Sequence, residues 1–455
     1  MMERLGQSKI VVDIFNYALN AVDPYNAVMR HLSLDREMLS AGDKDYPLKD
    51  FKRIIVIGAG KASARMASAV ETVLGERITD GIVITKYGYN REQDSRGKGQ
   101  GARIRIFEAG HPIPDENGLK ATQEIIKLLK DSDENTLVLC LISGGGSALF
   151  VSPYDWISLV EKQKITNMLL MAGANINELN TVRKHISRVK GGRLAEIAYP
   201  ATIISLILSD VVGDRLDVIA SGTTSPDKTT YQDALGVLKK YGLIDRSPQT
   251  VLKVLYEGTK GLIPETPKEG DIIFEKVENI IIGSNEKALG AAKTRAETLG
   301  LNAEIISKEI SGEARDVGRW LAQRALVLKG SRVQGFRGSS CLISGGETTV
   351  TVKGNGLGGR NMELALAFAM EIEGVSGITL LSAGTDGTDG TTDAAGAIVD
   401  GNTVAKAKAI VINPEEYLRN NDSYNFFKKI NGLFVTGPTG TNVMDMQIII
   451  VVESQ

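Results

Sequence analysis

The stretch SGGETTVTVKGNGLGGRNMELALAFA, residues 344–369, decides how the rest of the chain is read. The apolar CLI that leads into it predicts a buried strand ending on a glycine turn, and TTVTV predicts a short second strand. A second glycine loop follows. A helix then opens at Arg360-Asn361, with Glu363 in its first turn and Leu364, Leu366, Ala367 and Phe368 behind it. Glycines at 354, 356, 358 and 359 leave backbone N–H groups clear of any β-carbon and lead directly into a helix N-terminus. Partial positive charge and unpaired donors there favour an anion. Arg360 adds a rigid fork of donors suited to phosphate or carboxylate oxygens. Glycines that merely turn the chain are the plain alternative. Four of them in six residues, ending on Arg-Asn, favour the anion site.

Working outward, the same strand–glycine–helix grammar recurs. RIIVIGAGKASARMASAVETVL (53–74) begins with a continuous β-branched run, which predicts a strand buried on both faces of a parallel sheet. LVLCLISGGGSALF (137–150), IISLILSDVVGD (203–214) and VENIIIGSNEKALGAAKTRAETLG (277–300) follow the same pattern. Strand–helix alternation of this kind predicts an α/β fold with a Rossmann-like doubly wound sheet. A second α/β domain with a mixed sheet completes it. The expected boundary lies near residue 230, giving an N-terminal domain over 1–230 and a C-terminal one over 231–455. Residues 277–330 are the segment that alternatively packs on the first sheet. Residues 7–33 read as a packing arm of two helices broken at Pro24, and the charged stretch 90–101 reads as an exposed excursion.

At 455 residues the chain exceeds what one core supports, so two domains are expected. A net charge of −2 gives no basic face for nucleic acid. The longest apolar runs fall far short of the roughly 18 residues that span a bilayer. With no signal-like N-terminus either, a cytoplasmic protein is expected. The two cysteines, Cys140 and Cys341, both sit in the string CLISGG and read as buried structural thiols.

Several loops carry candidate chemistry. GAGKAS is not a Walker loop, because the glycine that motif requires ahead of the lysine is absent, with Val56 in its neighbourhood. It resembles the dinucleotide fingerprint, with Gly58 and Gly60 in place and Ser63 at the third glycine's position. The following strand, however, ends on Thr85-Lys86 rather than on a ribose-binding acid. Lys61 at a helix start points instead to an anion, against the plain reading of a solvated lysine. In SGGGSA, residues Ser143, Gly144, Gly145, Gly146 and Ser147 can wrap a phosphate with backbone amides. The repeated SGG, with Gly345, Gly346 and then Glu347, suggests a matching loop.

Asp210 ends a strand, and Asp386 and Asp389 lie in SAGTDGTDG. These are candidates for holding Mg²⁺ or orienting a hydroxyl, or else are ordinary turn residues. His111 is fixed by two following prolines. Arg183 and Lys190 belong to a basic cluster around His185 that is either a solvated helix face or a phosphate attractor.

Taken in order, GAGKAS, EAGHPIPDENG, LISGGGSALF, LNTVRKHISRVKGGRLA, LSDVVGDRLDVIASGTTSPD, the 344–369 stretch and SAGTDGTDGTTDAAG resemble the class II, MOFRL-type glycerate kinases. The resemblance spans about residues 54–451. It implies two α/β domains and ATP- and Mg²⁺-dependent phosphorylation of D-glycerate to 2-phosphoglycerate in an interdomain cleft. Lys61 and Arg360 match the family's active-site lysine and arginine. The catalytic set expected is Lys61, Arg360 and Asp210, with Asp386 and Asp389 for metal. The binding set is the loop residues above together with His111, Arg183, Lys190, Gly356, Gly358, Gly359 and Asn361. The expected partner is a small molecule, with neither nucleic acid nor membrane, and a homodimer is compatible with the reading. The rival is an NAD(P)H-dependent hydroxypyruvate reductase, which Lys86 disfavours.

Overall fold

The computed structural model describes residues 6–89, 103–330 and 339–452, so the 90–101 segment lies outside the described residues. The chain divides into two compact units, residues 24–282 and residues 1–23 together with 283–455.

The 24–282 unit opens with a small antiparallel sheet of β1 (Leu32–Asp35), β2 (Met38–Ala41) and β3 (Lys44–Pro47). Its main sheet contains β4 (Arg53–Ala59), β5 (Asp80–Lys86), β6 (Ile104–Ala109), β7 (Thr136–Ile142), β8 (Thr202–Leu208) and β9 (Val277–Gly283). The strand order is β6-β5-β4-β7-β8-β9, and the first five strands pair in parallel. Counted from β4 this is the 3-2-1-4-5-6 order of dinucleotide-binding folds. Strand β7 is buried along its whole length, and β4 and β8 are buried beyond their first residues. Their Ile, Leu and Val side chains meet core on both faces, each worth about 1.5–3 kcal/mol of burial.

The sheet grows outward in both directions from the β4–β7 pair, which is therefore the topological switch point. Ligands of open α/β sheets bind beyond the carboxyl ends of strands at such a point.

The boundary expected near 230 falls inside this unit. Helices Tyr231–Lys240 and Gln249–Thr259 share a core with Leu179, Val182 and Ile186 of the preceding helical region. Buried polar bonds reinforce the join. Lys184 Nζ donates to Asp227 at 3.1 Å, the Tyr231 amide donates to Glu265 Oε2 at 3.0 Å, and Arg193 donates to the Pro264 carbonyl at 2.8 Å. The proline punctuation of this region marks turns between packed helices. Of the 277–330 segment, β9 joins this sheet and the rest does not.

The other unit carries β10 (Asn302–Ile310), β11 (Ser340–Gly346), β12 (Ile378–Gly384), β13 (Gly396–Asp400), β14 (Leu433–Phe434) and β15 (Asp445–Val451). Their order is β10-β11-β15-β12-β13-β14. Only β10 and β11 run parallel, so this sheet is mixed. The expected strand TTVTV does not form; Thr349 makes an isolated bridge to Glu313. The donors of this segment are answered locally, Thr349 by the Gly312 carbonyl and Thr351 by the Glu313 carboxylate. Helix Gln7–Ala21 buries Ile10, Val11, Ile14, Phe15 and Ala18, with the Phe15 and Phe434 rings edge to face at 5.4 Å.

Candidate functional site

In the 24–282 unit the sheet register brings the candidate loops to one edge. Ala59 pairs with both Ile84 and Ile142, and Ile142 with Ile207, so the chain leaves β4, β5, β7 and β8 at one level. The GAGKAS and SGGGS loops then lock together. The Lys61 amide donates to the Gly144 carbonyl at 2.8 Å and the Ala62 amide to Ser143 Oγ at 3.0 Å. The Gly60 amide donates to the Ile84 carbonyl at 3.1 Å. A β-carbon on Gly60 would stand 2.0 Å from Ser143 Oγ, and one on Gly58 2.4 Å from the Leu141 carbonyl oxygen.

These contacts correct part of the expected binding set. Gly58, Gly60, Ser63 and Ser143 are packing residues. Ser63 and Ser143 are buried, with Ser63 Oγ donating to the Leu141 carbonyl at 3.1 Å. The amides of 60–62 are consumed inside the protein, so the pyrophosphate contacts of a dinucleotide fold are not on offer there. By contrast, the Gly144 and Gly145 amides donate to none of the described residues. Gly145 takes φ +85°, and a β-carbon on it would approach the His111 ring to 3.0 Å and Lys61 Cγ to 3.5 Å. Gly146 starts the short helix Gly146–Leu149 and packs on Ala59 and Ala220.

The structure thus brings Lys61, His111 and the Gly144–Gly145 amides together. Burial, then Lys61 and Lys86, push the His111 pKa down to about 4, so the ring is neutral at neutral pH. Asp210 stands half-buried just past the end of β8. Ser147 Oγ lies 2.9 Å from Ser221 Oγ, and the Ser147 carbonyl accepts from Lys190 Nζ at 2.8 Å. Arg183 is half-buried, its pKa pushed down by burial to about 10. The burial of Lys190 rules out a solvated helix face at that position.

In the other unit the antiparallel register places Asp445 opposite both Gly346 and Gly384, at the ends of β11 and β12. Arg360 grips this carboxylate with two bonds, Nε to Oδ2 at 2.5 Å and Nη2 to Oδ1 at 2.8 Å, and its Nη1 reaches Glu347 at 3.0 Å. Burial works against the guanidinium charge, but Asp445, Glu347 and Asp389 together hold its pKa above the ordinary value. Burial pushes the Asp445 carboxyl up, against the pull of Arg360, and the charge of Asp386 adds to that push.

The glycine loop differs from expectation. The Lys353 and Gly354 amides donate to Asn421 Oδ1 at 2.8 and 3.0 Å. The Asn355 amide donates to Asn420 Oδ1 at 3.1 Å, Gly356 to the Asn420 carbonyl at 2.9 Å, and Leu357 to Asp422 Oδ1 at 2.8 Å. Gly356, Gly358 and Gly359 lack β-carbons because Asp422, Ser423 and Asp389 occupy that space. Their bare α-carbons permit this close packing, and the anion reading is withdrawn for the 353–357 amides, whose donors are taken.

Asp389 is likewise corrected. It is 1% exposed, and its two oxygens accept from the Asn361 and Met362 amides at 3.1 and 2.8 Å. It caps helix Arg360–Glu371 instead of facing a metal. Burial above all, with Asp445 adding, lifts its pKa to about 7.

Asn361 is buried with Oδ1 held by Ser382 Oγ at 2.8 Å, and Gly345 and Gly346 pack against Asn285 and Ile310. Asp386 remains half-buried at the end of β12, with Oδ1 accepting from Thr388. Among the described residues, no group of three or more His, Cys, Asp or Glu is placed to hold a metal ion, and no helix is long and apolar enough to cross a membrane. Asp445 was missed by sequence reasoning; its signal was a lone acid opening the apolar run MQIIIVV.

Residues 10–256 match DUF4147, a domain of unknown function, and residues 340–445 match the MOFRL family. The chain is 46% identical to a D-glycerate 2-kinase of Thermotoga maritima, across 99% of this chain and 100% of that protein. It is 41% identical to a glycerate 2-kinase of Pyrococcus horikoshii over 95% of each. The crystal structure of a glycerate kinase from Thermotoga maritima matches with a TM-score of 0.85 at 46% identity, covering 98% of this chain and 99% of that one.

Proposed function

Because this chain belongs to the class II glycerate kinase family, we propose that it is a glycerate 2-kinase, transferring the γ-phosphoryl group of ATP to the 2-hydroxyl of D-glycerate. The observation that carries this reading is 46% identity along the whole chain to a D-glycerate 2-kinase. Two placements support it. Lys61 stands beside the unbonded Gly144 and Gly145 amides at a sheet's switch point, and Arg360 is rigidly aimed by Asp445.

In the reaction the 2-hydroxyl oxygen bonds to the γ-phosphorus as the bond from that phosphorus to the β,γ-bridging oxygen breaks. ADP departs with the electron pair, 2-phosphoglycerate forms, and the hydroxyl proton is released. Such transfers depend mainly on positioning and on charge stabilisation. Arg360 donates to oxygens of the phosphoryl group in flight, where a fixed donor acts at full strength because it need not reorganise. Lys61 offers its charge to a phosphate or carboxylate oxygen of the reactants, and the Gly144 and Gly145 amides add uncharged donors beside it. His111, neutral beside Lys61, adds a ring nitrogen for hydrogen bonding and no charge.

Mg²⁺ typically takes one or two carboxylates and completes its shell with phosphate oxygens and water. Asp386 and Asp210, each half-buried beyond a strand end in its own unit, are the two carboxylates that would supply one such hard oxygen. A single carboxylate fits an ion that completes its shell with nucleotide oxygens and water. Bound there, Mg²⁺ would neutralise charge on the nucleotide phosphates.

The setting we infer is the cytoplasm, in keeping with two free buried thiols. Sedimentation of the purified chain tests whether it is a homodimer. The decisive assay supplies D-glycerate, ATP and Mg²⁺ and follows ADP, with enolase coupling to identify 2-phosphoglycerate. A parallel reaction with hydroxypyruvate and NADH follows the nicotinamide absorbance. ADP release without NADH oxidation is expected. NADH oxidation without ADP release would replace the kinase by the reductase.

A further inference from the structure

Among the described residues of the 24–282 unit, three cations drawn into the protein interior, Lys162, Arg183 and Lys190, meet no carboxylate. Lys162 lies on the inner face of helix Leu159–Met171 with Leu159, Ile165 and Leu169, and is only 4% exposed. Arg183 projects from helix Ile176–His185. Lys190 is fully buried, its Nζ on the Ser147 carbonyl at 2.8 Å. Among the described residues, none of the three forms an ion pair.

The fold pairs its neighbouring cations. Lys184, on the same helix as Arg183, meets Asp227 at 3.1 Å, and Arg193 meets Glu196 at 3.5 Å. The unanswered three are also close enough to repel one another. Burial and the Arg183 charge push the Lys162 pKa down to about 7, and burial with Lys162 and Arg183 pushes Lys190 well below its ordinary value.

Side-chain bonds tie the elements that carry them together. Ser221 Oγ donates to Asn180 Oδ1 at 3.0 Å and meets Ser147 Oγ at 2.9 Å, which ties the helix bearing Arg183 to the SGGGS loop. Ala220 and Ser221 both adopt left-handed backbone, φ +49° and +61°, a conformation L-residues rarely hold without a tertiary reason. A buried group of like charges with no counter-charge is unfavourable when empty and complementary to a small multivalent anion when filled.

We propose that Lys162, Arg183 and Lys190 form a phosphate-binding pocket continuous with the SGGGS loop. The kinase reading supplies the two sources of that phosphate, the nucleotide and the phosphorylated product, and to that extent the pocket rests on it. The three cations match the charge of a phosphate dianion or a longer phosphate chain, and Lys190 links the pocket to the loop that carries the unbonded amides.

Calorimetric titration of the full chain tests this, using ADP, 2-phosphoglycerate, inorganic phosphate and D-glycerate as separate probes on wild type, Lys162→Met and Arg183→Met. Inorganic phosphate and at least one phosphate ester should weaken by about tenfold or more in both variants, with D-glycerate unchanged within about twofold. Weakening of ADP assigns the pocket to the nucleotide, and weakening of 2-phosphoglycerate assigns it to the product. Ligand-free Lys162→Met should melt at or above the wild-type temperature, since it loses an unanswered buried charge. Wild-type affinity for all three phosphates in either variant overturns the pocket, as does a lower melting temperature for ligand-free Lys162→Met. If Lys162→Met fails to fold, the Arg183→Met titrations decide. Absence of turnover in wild type would remove the kinase reading alone, because the titrations need no catalysis.

Discussion

Arg360 and Asp445 meet through two parallel hydrogen bonds, Nε to Oδ2 at 2.5 Å and Nη2 to Oδ1 at 2.8 Å, with the carboxylate fixed in β15 between Gly346 and Gly384. Asp445 is buried with both oxygens on Arg360, so its part is to aim the guanidinium. Asp445→Asn keeps the shape but removes one acceptor and the charge. It should lower kcat on the order of 10–100-fold while KM for D-glycerate shifts far less. A variant with unchanged kcat and a raised KM would show that the pair serves binding, not the transfer step.

Arg360→Ala should lose turnover by at least about 10³-fold, the scale of an arginine acting on a phosphoryl group in flight. The fold should survive, because a buried Asp445 without its partner takes up a proton. If Lys61 acts on the same transition state, combining Arg360→Ala with Lys61→Ala will cost less than the two separate losses multiplied. Fully multiplicative losses would assign the two side chains to independent steps.

Gly60→Ala should destabilise the 24–282 unit by about 1–3 kcal/mol, because its β-carbon would stand 2.0 Å from Ser143 Oγ at a φ of +148°. Gly290→Ala is the control. It lies within helix Asn285–Thr298 with nothing within 4 Å of the added carbon, and should stabilise by about 0.5–1 kcal/mol. Chemical denaturation distinguishes them, and equal effects would refute the clash between the two loops.

The buried Lys162 gives a pH signature. Its folded pKa of about 7 lies below the ordinary lysine value of 10.5, so between those values the unfolded chain holds more protons than the native one. Stability therefore rises with pH across that window, by at most about 1.4 kcal/mol per unit for one proton. Lys162→Met should flatten this part of the stability curve. A curve superimposable on wild type would mean that Lys162 titrates normally.

The strands were legible because RIIVIGA, TLVLCLI and TIISLIL carry their burial in their own composition. Lys61 and Arg360 were legible as charges at glycine-rich helix starts. The state of the glycine amides was not. Gly354 and Gly356 look identical in sequence whether their N–H groups wait for a ligand or are consumed, and the groups that consume them, Asn420 and Asn421, lie far along the chain. Asp389 presented the same ambiguity, since a turn aspartate and a helix cap have the same local sequence until Asn361 and Met362 arrive against it. The unit boundary escaped because the 1–23 segment packs with residues beyond 282, a pairing that no local pattern encodes.

That last feature bears on how the polypeptide is made. Helix Gln7–Ala21 leaves the ribosome well ahead of Phe434, Arg295 and Thr379, which bind Phe15, Asp13 and Gln7 and are translated only after residues 24–282. At about 5–20 residues per second, its apolar stripe waits for on the order of tens of seconds without its eventual cover. Nascent chains halted before residue 283 should therefore engage chaperones through this first helix, and relocating it to the carboxyl end by circular permutation would abolish the delay.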